Sequence, residues 1–260
     1  MIAAARELLG ARDLLWQWTG RTLQARYQQS LLGWLWAFVQ PATQAAVFAV
    51  IFTYLVPVET GGTPYPVFAY VATAAWAFLA ASLTDMTNSL VDNMNLVTKI
   101  YFPREVLPVA YMLARLADFA IAAVLFVVIA LYYQVPFYPA GLLVLPVVLL
   151  VQTVLVVGLG LAAAGMNVFV RDVRSVLVLV MQVWFYASPV IYPIDAVPAH
   201  YRALYALNPM VGIIESYRDV LLRARMPDTY LLSAALVATV VFVLGYWFFQ
   251  RVESRFADIV

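Results

Sequence analysis

Cysteine is absent from the 260 residues, histidine occurs once, and charged side chains make up only 11% of the chain. Without cysteine there can be no disulfide and no thiolate metal site. A single histidine, His200, in a polar stretch reads as a solvated loop side chain, and no group of metal ligands is expected. No G-x-x-x-x-G-K-[ST] string occurs, so the chain has no phosphate loop with which to cradle a nucleotide. No pair of carboxylates stands at the depth where an ion-coupled pump would place one. Energy for active transport would therefore have to come from another polypeptide. A net charge of +1 gives no basis for nucleic-acid binding. Arg6, Glu7, Arg12 and Asp13 interrupt the region where a cleavable signal needs an apolar core, and none is expected.

What the chain does contain is hydrophobic sequence, 65% of it, in long uncharged runs such as 121–135 and 142–164. A soluble protein of this length would show amphipathic helices or alternating strands; these runs have the length of bilayer spans. The fold class is therefore all-α, a polytopic membrane protein forming one transmembrane domain over 1–260. Six transmembrane helices are expected at about 31–56, 67–90, 106–133, 140–165, 176–190 and 230–249. Residues 1–30 form a cytoplasmic interfacial element, 31–250 the bundle and 251–260 a cytoplasmic tail. Over 8–28, Leu8, Leu9, Leu15, Trp16, Leu23 and Tyr27 share one helical arc, with Arg6, Asp13, Gln17, Arg21, Gln24 and Gln28 opposite, the pattern of a helix lying in the interface. Pro41 predicts a kink in the first span. In the fourth, Gly158, Gly160, Ala162, Ala163, Ala164 and Gly165 predict close helix packing.

Orientation follows from lysine and arginine. Arg6, Arg12, Arg21 and Arg26 precede the first span, Lys99 and Arg104 lie between the second and third, Arg171 and Arg174 between the fourth and fifth, and Arg251 and Arg255 after the sixth. All fall on one side, so both termini are expected in the cytoplasm. Arg202, Arg218, Arg223 and Arg225 on the other side are not explained by topology. They belong to the stretch that organises the chain, 166–222. It runs from a charged turn through an apolar helix into Pro189, Tyr192 and Pro193, and then into a segment too polar to span and too apolar for an ordinary loop. Asn208-Pro209 should split that segment into two short helices of about ten residues, entering and leaving the outer membrane face as a re-entrant gate. Its gate residues would be Tyr201, Tyr205, Asn208, Pro209 and Tyr217.

Three further groups are candidates for function. Arg115 and Asp118, one turn apart in the third span, either neutralise each other between helices or face an aqueous cavity and meet cargo. Trp34 with Phe38, and Trp184 with Tyr186, could stack on sugar faces along a cargo path, or serve as core and interfacial belt; the chain has 7 Trp, 16 Tyr and 15 Phe from which to build either. Two cytoplasmic elements, 93–104 with Lys99, Ile100, Tyr101, Phe102 and Arg104, and 170–175 with Arg171 and Asp172, set apolar side chains between charges. Such knobs could fit a groove on a soluble partner; positive-inside anchoring is the plain alternative.

In order along the chain stand Arg26-Tyr27 with Ser30, Leu32-Gly33 and Trp36 before Pro41; Thr98-Lys99-Ile100, Pro103, Glu105-Val106 and Pro108; and Asn167-Val168-Phe169-Val170-Arg171-Asp172. Ser188-Pro189-Val190-Ile191-Tyr192, Asp195, Pro198 and Asn208-Pro209 follow. This series, from about residue 12 to the last span, resembles the membrane subunits of type-2 ABC exporters of bacterial surface polysaccharides, those for O-antigen, teichoic acid and capsule. The resemblance implies a homodimer in the bacterial inner membrane bound to two copies of a separate ATPase, which holds the ATP and magnesium, so no cofactor is expected in this chain. The cargo would be a lipid-linked glycan. It also implies that 93–104 includes a coupling helix, 170–175 a second contact with the ATPase, and the outer segment gate helices; Arg115 is outside the family pattern and inherits no role. An exporter of a small lipophilic compound is the alternative within transport. A membrane-embedded enzyme acting on lipid-linked sugars would need clustered carboxylates or histidines at one membrane face.

Overall fold

The structure, a computed structural model, describes residues 10–28, 33–55, 57–100, 102–136 and 138–256, without the side chains of Trp34 and Ala140. Leu8 and Leu9 of the expected amphipathic arc, Ser30 and Tyr101 lie outside the described residues. All regular structure in that range is helical: α1 (Arg12–Tyr27), α2 (Trp36–Val50), α3 (Tyr65–Asp92), α4 (Met94–Lys99), α5 (Val106–Tyr132), α6 (Leu145–Phe169), α7 (Val173–Tyr186), α8 (Pro209–Leu222) and α9 (Thr229–Glu253), with short turns between. Proline marks several starts: Pro66, Pro146 and Pro209 occupy the first turns of α3, α6 and α8, where a missing N–H costs nothing. Pro41 lies inside α2, which continues through it and widens at Ile51–Leu55 into a π turn.

Among the described residues five helices, counting α2 with its π turn, are long and apolar enough to cross a membrane: Trp36–Leu55, Tyr65–Asp92, Val106–Tyr132, Leu145–Phe169 and Thr229–Glu253. The expected fifth span differs. α7 has 14 residues, starts inside the charged turn and stops at Tyr186, so at about 1.5 Å per residue it covers about 21 Å of a hydrocarbon core about 30 Å thick. The two equal outer helices also differ from expectation. Before Asn208 there is only the turn Ala199–Tyr201 and the single helical turn Arg202–Tyr205, whereas α8 after it has 14 residues and is buried almost throughout.

α3 is the centre. Of its most apolar window 78% is buried, against 22% for α5 and for α9, and it packs against α2, α5, α6, α7 and α8. α6 and α9 form the closest pair, and glycine is the reason: a Cβ on Gly158 would lie 2.5 Å from the Phe242 Cα, and one on Gly245 would run into the Gly158 carbonyl. Gln152, fully buried on α6, donates to the Ala75 carbonyl at 2.7 Å and accepts from the Tyr217 hydroxyl at 3.0 Å, which ties α3, α6 and α8 together. α1 packs along α5 on a face formed by Leu15, Trp18, Thr19, Leu23, Arg26 and Tyr27. Trp16, expected on that apolar arc, is 64% exposed.

Candidate functional site

At one end of the bundle, five of the expected path and gate residues converge. Trp184, Tyr201, Tyr205, Asn208 and Pro209, with Ala187 and Leu204, line an open bowl of about 540 Å³. Asn208 caps α8 through its side-chain oxygen, which accepts from Met210 N–H at 3.0 Å. The same oxygen accepts from the Trp184 indole N–H at 2.8 Å, and the amide nitrogen donates to the Ala187 carbonyl and the Ser188 hydroxyl, both at 3.0 Å. Two donors and two acceptor sites are all a primary amide has. Asn208 is thus fully engaged in joining the end of α7 to the start of α8, and the rings present the bowl's surface. Tyr192 bridges the rim, donating to the Tyr186 carbonyl and sharing a hydrogen bond with the Tyr205 hydroxyl, each at 2.9 Å.

Of the arginines in 202–225, Arg218 and Arg223 turn inward. Arg218 is fully buried; it pairs with Glu215 at 2.8 Å, donates to the Val190 carbonyl at 3.0 Å and stacks 3.5 Å over the Phe68 ring. Arg223 bonds Glu215 at 2.7 Å and Asp219 at 2.9 Å, and Arg225 reaches Asp219 at 2.8 Å. Glu215 and Asp219 escaped the sequence reading, although arginines in excess of topology on one segment call for carboxylates nearby. Tyr217, expected at the gate, is buried in the core against Phe119 and Gln152.

Trp184 and Tyr186 do not share a wall. Trp184 turns inward, its ring 5.8 Å from Trp76 and perpendicular to it, while Tyr186, two residues on, is 60% exposed. The inward face of α7 is Leu177, Met181, Trp184 and Phe185, with Phe185 stacked 6.0 Å from Phe48 of α2. The outward face carries Leu179, Gln182, Val183 and Tyr186 beside the outward face of α2, which carries Trp36, Gln40, Thr43, Val47 and Val50. Phe38 is half-buried on α2.

Arg115 and Asp118 are not an isolated pair. Four charges close a ring: Arg115 bonds Asp85 at 2.7 Å and Asp118 at 3.2 Å, and Arg26 of α1 bonds the same two carboxylates at 2.7 and 2.5 Å. Tyr27 adds a hydroxyl donor to Asp118. Burial and the neighbouring carboxylate push that phenol up to about 12, so it remains a donor. The ring sums to zero charge and fixes the end of α1 to α3 and α5, beside a cavity of about 80 Å³ lined by Trp36, Gln40, Pro41 and Phe119. Arg26 and Asp85 were missed as site residues. A lone carboxylate in an apolar run was a signal that a cation must approach from elsewhere.

Lys99 and Ile100 are exposed at the end of α4, and so are Arg171 and Asp172 ahead of α7. Phe102 is half-buried and packed on the core. Arg104 differs from the other charged residues here, because its guanidinium turns to the end of α9 and bonds the Glu253 carbonyl. Among the described residues no group of three or more His, Cys, Asp or Glu could hold a metal ion.

A helical bundle with several membrane-length apolar helices, exposed charged turns and a buried polar helix over 209–222 suits a transport subunit. The family model for ABC-2 type transporters matches residues 13–222. The O-antigen export system permease protein RfbA of Myxococcus xanthus is 31% identical over 262 residues, covering 99% of each chain. A Klebsiella pneumoniae protein of the same name is 26% identical over 95% of each chain, and the polysialic acid transport protein KpsM of Escherichia coli is 22% identical over 85% of this chain and 86% of its own. The chain belongs to the ABC-2 type transporter family.

Proposed function

We propose that this chain is the permease subunit of an ATP-driven exporter that moves a lipid-linked surface polysaccharide across the bacterial inner membrane. Likeness over 99% of both chains to a permease named for O-antigen export carries the reading. It functions as a homodimer with two copies of a separate ATPase, and both termini lie in the cytoplasm. The chain forms one permease domain over 1–260. α7 is the fifth of six crossings, completed by the turn 187–190 that Asn208 holds against it. Gln40, Thr43, Gln182 and Tyr186, exposed on adjoining faces of α2 and α7, support a polar path between the two copies. Trp34 and Phe38 belong to its inner end, Trp184 and Tyr186 to its outer end, and Arg115 with Asp118 stands behind its wall. Rings around the bowl suit sugar, whose C–H faces stack on them without one fixed register. The outer segment with Tyr201, Tyr205, Asn208, Pro209 and Tyr217 forms the exit gate, and Lys99, Ile100, Tyr101, Phe102, Arg104, Arg171 and Asp172 form the coupling region. Deleting the coding sequence in the native host should abolish the surface polysaccharide and leave lipid-linked polymer at the inner face. A full surface polysaccharide in the deletion strain would refute the proposal.

A further inference from the structure

The two cytoplasmic knobs are joined by something that neither of them contains. Glu105, at the start of α5, is 2% exposed; its carboxylate accepts from Gln250 at 2.5 Å and lies 3.4 Å from the Tyr246 hydroxyl, both on α9. One residue earlier, the Arg104 N–H bonds the Glu253 carboxylate at 3.3 Å, and its guanidinium lies 5.6 Å over the Phe256 ring. Phe256 is fully buried, although it follows the end of α9, and its ring centroid is 5.8 Å from both Phe169 and Phe249. Phe169 is the last residue of α6, directly before the turn that carries Arg171 and Asp172. One side chain beyond the last span therefore touches the ends of both exposed elements. Phe169 and Val170 of one element are 42% and 54% exposed and Ile100 of the other is 56% exposed, with Lys99, Arg171 and Arg174 exposed close by in sequence. An apolar centre with a basic rim fits an apolar groove with an acidic rim on a soluble protein.

We propose that the end of α9, through Glu253 and Phe256, is the keystone of one docking platform and makes the two knobs a single rigid body for the ATPase. The inference rests on the transport reading above. A partner pushing on separate knobs would bend the loops; pushing on a body cross-braced by Phe256 and Arg104, it moves α5, α6 and α9 together. Phe256 and Glu253 are positioning residues, since they brace the surface without supplying its exposed part.

The test uses this chain and an ABC-type ATPase subunit of the native host, reconstituted together, with ATP turnover, polymer export and co-purification measured in parallel. Phe256→Ala should leave the ATPase bound and turning over while export per ATP falls about tenfold, the size of an ordinary coupling free energy. Phe256→Met, which refills the apolar space, should restore most of it. Unchanged export per ATP in Phe256→Ala overturns the proposal. If that variant fails to accumulate, Arg104→Gln decides, because it removes the guanidinium from Glu253 and Phe256 and leaves the buried ring; normal export per ATP there overturns it equally. Failure of the unaltered chain to retain any ATPase would instead reject the transport reading on which the proposal stands.

Discussion

A side-chain amide with all four hydrogen-bonding positions filled leaves little freedom for substitution. Asn208 accepts from an indole and a backbone N–H and donates to a carbonyl and a hydroxyl. Asn208→Asp keeps the acceptor and turns a second oxygen on the Ala187 carbonyl, where repulsion replaces a bond; Asn208→Ala abandons all four partners. Each variant should lose about 1–3 kcal/mol, read as a lower thermal midpoint of the purified protein, with Asn208→Asp no better than Asn208→Ala. An unchanged midpoint in Asn208→Asp would mean that the α7–α8 joint is held by packing alone. The charge ring calls for a different experiment, because its members compensate one another. Arg115→Ala leaves two carboxylates against one arginine, and Asp85→Ala leaves two arginines against one carboxylate. The ring side chains are 12–23% exposed, so each loss should be on the order of 2 kcal/mol, below that of a fully buried pair. The double variant should be milder than the sum of the two. Strict additivity would show that the ring members do not interact.

For elements, composition and periodicity revealed most of what the structure contains, and the discrepancies have physical causes. α3, α5, α6 and α9 lie close to their hydrophobic runs because a bilayer span needs only length and apolarity. The glycines of 158–165 signalled close packing, and Gly158 does meet Gly245. The end of α7 was placed too late because Ala187 to Val190 is apolar in sequence, yet a turn held by Asn208 21 residues away ends the helix at Tyr186. No local pattern carries that contact. The ring was half legible for the same reason: Arg115 and Asp118 are three residues apart, but Arg26 stands 92 residues from Asp118 and had been credited to topology. Asn208-Pro209 stands at the start of α8, while the burial of α8 depended on its inward-facing ion pairs. That α7 crosses the membrane despite its 14 residues can be tested through the absence of native cysteine. Single substitutions Arg171→Cys and Tyr201→Cys, both at exposed positions, should react with a membrane-impermeant thiol reagent from opposite sides. Labelling of both from one side would make α7 a re-entrant helix and reverse the outer and inner assignments after it.

For the whole molecule, polar side chains on an outward face identify what that face meets. In hydrocarbon an unsatisfied polar group costs several kcal/mol, so a purely lipid-facing surface on α2 and α7 would be expected to be aliphatic. Gln40 and Thr43 on α2, and Gln182 and Tyr186 on α7, are instead exposed, and the Phe48–Phe185 stack holds the two helices side by side. Two copies related by a two-fold axis would bring this face against its own image, which is how an isologous dimer satisfies the same groups on both sides. The apolar members, Val47 and Val183, then form the contact, and the glutamines face whatever lies between the copies. Val183→Cys should therefore give a covalent dimer on mild oxidation in native membranes, where any disulfide must come from the introduced residue. Gln182→Leu should reduce polymer export without reducing protein level, since it removes a polar group from the path and leaves the helix more apolar. If α7 faced lipid, the outcome would reverse: Gln182→Leu would be neutral or raise the protein level, export would be unchanged, and Val183→Cys would remain monomeric.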